Sequence, residues 1–123
     1  MKERREYIRV GDSLKIMYKI VSLSGAQRGG YTEDISGGGI RFSLDHYLKV
    51  GTVLELSISI PNQESPIQAT GEVTWLHERK DMKSPYVVGI KFIKIDPFER
   101  GKILNYIRKR VTENKPADIK WID

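Results

Sequence analysis

Between residues 52 and 61 the chain reads TVLELSISIP, in which Leu54, Leu56, Ile58 and Ile60 alternate with Glu55, Ser57 and Ser59 until Pro61-Asn62 ends the run. Successive side chains of an extended strand point to opposite faces, so a period of two describes a strand with one face buried and the other in water. The same signature recurs on both sides. Residues 13–23 (SLKIMYKIVSL) place Leu14, Ile16, Tyr18 and Ile20 on one face, and residues 31–35 and 40–44 read as short strands around Ser36-Gly37-Gly38-Gly39. Residues 67–77 set Ile67, Ala69, Val73 and Trp75 in phase, and residues 86–95 complete the set. SGAQRGG (24–30) and ERKDMKSP (78–85) read as turns, and the glycines at 37–39 are expected to supply backbone with positive φ. Five or six strands with short connections and no intervening helix imply antiparallel pairing. A chain of 123 residues buries them best as a mainly β fold, a small six-stranded barrel.

After residue 95 the period changes. Asp96 is placed to cap a helix, Pro97 to open it and Glu99 to complete a capping box, while Ile103, Leu104, Ile107 and Val111 form an apolar stripe. The expected order is a flexible basic arm over residues 1–12, a barrel with a C-terminal amphipathic helix over residues 13–113, and a tail over residues 114–123 that leaves the domain body.

Composition narrows the chemistry. There is no Cys, and the two histidines, His46 and His77, lie in separate segments with no carboxylate at metal-ligand spacing, so they read as surface polar residues. No nucleophile, base and orienting group can be assembled, and neither a catalytic nor a metal site is expected. No apolar run approaches the length of a membrane span and no leader pattern opens the chain, so the expectation is a cytoplasmic protein without membrane insertion. The formal net charge is +5, and residues 100–115 carry the excess: Arg100, Lys102, Arg108, Lys109, Arg110 and Lys115 against Glu113. Basic residues late in a helix complement its dipole and are expected to be solvated there. Only Tyr106 interrupts the run, whereas single-stranded nucleic acid calls for interleaved aromatics, so nucleic acid is not the expected partner.

Two short motifs carry the specific chemistry. Arg5 and Arg9 stand four residues apart, and Asp34, Ser36 and Gly39 form a DxSxxG pattern one strand and a turn later. Arginine presents a planar fork of donors that engages a phosphate bidentately, or the O6 and N7 acceptors of guanine, and its flat face stacks on a base. A carboxylate such as Asp34 accepts from the N1 and N2 hydrogens of guanine, which a bare phosphate site has no need of. Ser36 adds a small hydroxyl, and Gly37, Gly38 and Gly39 let backbone N–H groups approach phosphate oxygens. Either motif alone is common, in solvated basic arms or in ordinary hairpins. Their order and separation, on a barrel followed by a helix, single out the pair.

From about Glu3 to Val111 the chain resembles the PilZ domain family. The two motifs carry the resemblance, and Gly71-Glu72-Val73-Thr74-Trp75 and Gly89-Ile90-Lys91-Phe92 look like the family's later strand patterns. It implies a receptor for the bacterial second messenger cyclic di-GMP that works by binding, with no cofactor. Arg5 and Arg9 would wrap from the mobile arm onto the barrel to hold guanine and phosphate, with Asp34, Ser36 and Gly39 opposite and Gly37 and Gly38 beside them. It implies further that Arg4 favours a stacked pair of ligand molecules. Trp75 offers a ring near the ligand, although its phase with Val73 reads as core, and Arg41, outward between Ile40 and Phe42, adds positive potential. Ordering of the arm would then report messenger concentration to an effector protein or an upstream domain. Two rivals stand beside this reading: a single-stranded nucleic-acid-binding small barrel, which gives no reason for Asp34, and a PilZ-like interaction adaptor that binds no nucleotide.

Overall fold

In a computed structural model, which describes residues 7–23, 25–80, 83–113 and 119–120, the elements run β1 (Arg9–Val10), β2 (Lys15–Ile20), β3 (Arg28–Ser36), β4 (Gly39–Leu44), β5 (Val53–Ile58), β6 (Ile67–Glu78), β7 (Tyr86–Ile95), α1 (Pro97–Glu113) and β8 (Ile119–Lys120). Six strands in the order β2-β5-β6-β7-β4-β3 form an antiparallel sheet, and β3 returns to pair with β2, closing the barrel. Closure leaves no open edge within the ring. Outside it, β1 pairs with the second half of β3, Val10 opposite Ile35, and β8 pairs with β1.

The interior follows from the period of two. Ile16, Ile40, Phe42, Leu54, Leu56, Ile58, Ile67, Val73 and Val88 are fully buried, and Ile103 and Ile107 of α1 join the same cluster. Full burial of one such side chain contributes about 1.5–3 kcal/mol. The stripe on α1 is narrower than the sequence suggests: Leu104 is exposed and Val111 only partly buried, because Ile103 and Ile107, one turn apart, already face the barrel.

Several expectations change. Arg28, Gly29 and Gly30 are not turn but the start of β3, opposite Tyr18, Met17 and Ile16, because β2 needs a second neighbour to close the ring. Residues 7–12 are not a free arm: Val10 is in the core and paired with Ile35, and residues 1–6 lie outside the described residues. The tail returns, since Ile119 and Lys120 meet the free edge of β1. At the start of α1, Asp96 Oδ1 accepts from the Phe98 N–H at 2.8 Å as a cap should, whereas Glu99 accepts from the Gln68 N–H at 3.3 Å and pairs with Lys102, tying the helix to β6. Finally, Gly37, Gly38 and Gly39 do not use positive φ; among the described glycines only Gly51 does, at 96°.

Candidate functional site

The site begins with two bulges. In β3, Thr32 faces Phe42 across the ladder but Asp34 faces Arg41, so Glu33 is an extra residue. Without it Asp34 would share the side of Thr32, opposite the buried Phe42; with it Ile35 turns inward and Asp34 turns to the outer face. In β6, Val73 faces Ile90 but Trp75 faces Gly89, so Thr74 is extra. The core reading of Trp75 fails for this reason. Val73 is buried, Leu76 takes over the inward phase, and Trp75 lies half-buried over Gly89, where a Cβ would meet its Nε1 at 2.1 Å. His77, exposed, presses edge-on to the indole at 5.1 Å between ring centroids.

Asp34 is buried, and its carboxylate is shared by two guanidiniums: Arg9 Nη1 donates to Oδ1 at 2.8 Å, and Arg41 Nη2 pairs with Oδ2 at 2.9 Å. Arg79, just after β6, pairs with the neighbouring Glu33. The buried Asp34 carboxylate is costly to strip of its partners, about 3–5 kcal/mol, because the charge would lose its compensation. Arg41 faces outward as the alternation of Ile40 and Phe42 requires. The Arg9 Nε is buried without a hydrogen-bond partner among the described residues, as are those of Arg41, Arg79 and Arg100. Buried donors of this kind are normally satisfied.

The hairpin glycines serve close approach. A Cβ on Gly37 would strike Leu104 at 2.7 Å and the Tyr7 ring at 2.8 Å, and one on Gly39 would sit 2.0 Å from the Ile90 carbonyl oxygen. The Ser36 hydroxyl accepts from the Gly38 N–H at 3.1 Å, which fixes the turn. Tyr7 lies on this hairpin, with the Arg100 guanidinium 5.8 Å from its ring centroid. Together Tyr7, Arg9, Ser36, Gly38, Gly39, Thr74, Trp75, Gly89, Ile90 and Lys91 line a cleft of about 350 Å³.

Arg9, Ser36, Gly38, Gly39 and Trp75 are thus brought together. Asp34 and Arg41 stand behind Arg9 and do not line the cleft, Gly37 supports Tyr7, and Arg4 and Arg5 lie outside the described residues. Tyr7 carries no signal of its own in the sequence, and Thr74, Gly89 and Lys91 stand there only as members of the later strand patterns, with no site role. The one clue was a glycine in β7, a strand otherwise rich in large side chains, which marks a close approach.

The basic run on α1 is only partly solvated. Arg110 donates through Nε and Nη2 to Asp12 at 2.6 and 2.8 Å, Tyr106 donates its hydroxyl to the same carboxylate, and Arg100 is engaged by Tyr7. Hydrogen bonding from Arg110 holds the Asp12 carboxyl below its ordinary value, and burial together with Asp12 pushes the Tyr106 phenol up. Elsewhere His46 meets Asp45 at 3.1 Å and the Tyr18 hydroxyl at 3.5 Å, away from the cleft. Among the described residues no cluster of His, Asp and Glu could hold a metal ion, and no helix is long and apolar enough to cross a membrane.

A family model for the PilZ domain matches residues 3–109, a span that includes both motifs and both bulges. No curated protein matches the chain. The inhibitor of motility MotI (DgrA) of Bacillus subtilis has a similar structure, with a TM-score of 0.77 at 20% identity over 93% of this chain and 55% of its own. The PilZ domain of YcgR from Escherichia coli, solved with cyclic di-GMP, gives 0.64 at 17% identity over 91% of this chain and all of that domain. A longer YcgR chain from the same organism, also in complex with cyclic di-GMP, gives 0.68 at 16% over 90% of this chain and 47% of its own. This chain spans about half the length of MotI and of the longer YcgR. At such identities the likeness is one of fold, but the family model covers most of the sequence, and by that match the chain belongs to the PilZ domain family.

Proposed function

We propose that this chain is a receptor for cyclic di-GMP that acts by binding. The observation that carries the reading is the meeting, in one cleft, of the Arg9 guanidinium, the glycine hairpin and the Trp75 ring from a different strand. Those groups match a guanine nucleotide: a fork for phosphate or for O6 and N7, a glycine hairpin that lets a ligand come close, and a ring for a base. Arg5, and Arg4 with a stacked pair of ligand molecules, extend this reading by the motif alone.

Asp34 enters by exchange of partners. Both its oxygens are engaged by arginines, so it accepts from the N1 and N2 hydrogens of guanine when Arg9 swings from Asp34 toward the ligand while Arg41 continues to compensate the carboxylate. The buried charge then never stands alone, which keeps the exchange inexpensive. Movement of Arg9 shifts the segment before Val10, and that shift is what an effector protein or an upstream domain reads. The basic helix gives little to the nucleic-acid alternative, because Arg100, Lys102 and Arg110 are already engaged within the chain.

A thermal-shift assay tests the reading. Cyclic di-GMP at a hundredfold excess over its Kd should raise the melting temperature by on the order of 10 °C, and GTP at the same concentration should not. Equal shifts with both, or none, would contradict it.

A further inference from the structure

Strand β1 carries Arg9 yet is only two residues long. Its ladder supplies few hydrogen bonds, each worth about 1 kcal/mol net. A slip of one residue would turn Val10 out and Arg9 into the core, because side chains alternate. The register is therefore fixed from outside the ladder, on both sides. After the strand, Asp12 is gripped by Arg110 at 2.6 and 2.8 Å and by the Tyr106 hydroxyl, across 98 and 94 positions of sequence. Its carbonyl oxygen accepts from Thr32 Oγ1 at 2.6 Å, and the same hydroxyl accepts from the Leu14 N–H at 2.9 Å, two residues before Asp34 in β3. Before the strand, Tyr7 is held between the hairpin glycines and Arg100 and Leu104 of α1. The helix thus holds the Arg9 segment at both ends.

We infer that Asp12 is a positioning residue for Arg9, and that its grip by Tyr106 and Arg110 makes α1 the element through which occupancy of the cleft is felt elsewhere on the molecule. This rests on the cyclic di-GMP reading above. A carboxylate three residues from Arg9 cannot touch a ligand in the cleft from where it is held; it acts through the strand. Coupling is reciprocal, so ligand that draws on Arg9 changes the hold on α1, and a partner seated on α1 changes ligand affinity by the same factor.

The test is a double-substitution cycle read by calorimetric titration of cyclic di-GMP, with amide exchange of the unliganded chain in parallel. Asp12→Asn keeps the shape and removes the charge; it should weaken binding about tenfold, within the usual range of coupling between sites. In the Arg9→Ala background the same substitution should cost nothing further, since there is no guanidinium left to position. A merely structural Asp12 would add the same loss in both backgrounds, and that result overturns the inference, as does unchanged affinity. Should Asp12→Asn fail to fold, Tyr106→Phe removes one hydroxyl and should show the same non-additivity with a smaller loss. Without ligand, amides 9–11 should exchange faster in either variant. Unaltered exchange would overturn the positioning role even if the unsubstituted chain bound no cyclic di-GMP, a result that would by itself refute the receptor reading.

Discussion

Two clefts of similar size are built from similar residues. One, of about 350 Å³, holds Arg9, Tyr7 and Trp75; the other, of about 280 Å³, holds Arg28, Tyr18, Tyr47 and His46. In the second, His46 is satisfied by Asp45 on one side and reaches Tyr18 on the other, and Gly25 has open space around it. In the first, the Arg9 Nε has no hydrogen-bond partner among the described residues, a state it shares with Arg41, Arg79 and Arg100, the glycines are pressed by their neighbours, and two bulges turn Asp34 and Trp75 outward. Volume and residue type do not tell the two apart. What does is backbone packed at close range, with Trp75 lying over Gly89, and the two bulges that set which way Asp34 and Trp75 face.

The sharpest way to break this contrast is through the glycines. Gly39→Ala sets a Cβ 2.0 Å from the Ile90 carbonyl oxygen, which is backbone and cannot step aside, whereas Gly25→Ala meets nothing within 4 Å. The first should lose about 3 kcal/mol or more in urea melts and the second stay within about 0.5 kcal/mol. A tolerated Gly39→Ala would mean that the hairpin does not press on β7.

Next come the arginines. Arg9→Ala should weaken cyclic di-GMP binding by roughly tenfold to a hundredfold, the size of one lost bidentate contact. Arg28→Ala should leave the affinity where it was, and equal losses at both positions would dissolve the distinction between the clefts. The aromatic rings give a smaller test of the same kind. Trp75→Ala should cost roughly fivefold or more through lost stacking, and Tyr47→Ala nothing measurable by the same titration.

Smallest is the response to acid. The Asp12 carboxyl is held below its ordinary value of 3.8 chiefly by Arg110, so its contribution to stability is complete above that pH and is lost as the pH falls toward its folded value. Melting temperature followed from pH 6 to pH 3 should therefore fall less steeply in Asp12→Asn than in the unsubstituted chain. Asp45, also lowered, by His46, is largely exposed, and solvent screening should leave the slope of Asp45→Asn close to that of the unsubstituted chain. Matching slopes for all three would show that Asp12 is not held by charge.

Where pattern is local, the sequence shows it. Strand β7 and helix α1 occupy the expected spans because Pro97 and the cap Asp96 mark the change of period within two residues. The alternation over β5 reads directly as Leu54, Leu56 and Ile58 inside the barrel. Phase across a bulge is not legible, because one inserted residue exchanges the two faces and leaves no mark in composition: Trp75 looks like core until Thr74 is seen to be extra. Arg9 and Ser36 are legible as motif members, but Asp34 standing behind Arg9 is not, since that depends on which oxygens face which guanidinium. Least visible is Asp12, whose partners lie 94 and 98 positions away.

The most direct measurement is isothermal titration of cyclic di-GMP into the chain at physiological salt, beside Arg9→Ala, with GTP and single-stranded RNA as controls. The account predicts micromolar or tighter binding of cyclic di-GMP alone, with the substituted chain at least about tenfold weaker. No heat at several temperatures, or binding that Arg9→Ala leaves untouched, would contradict it.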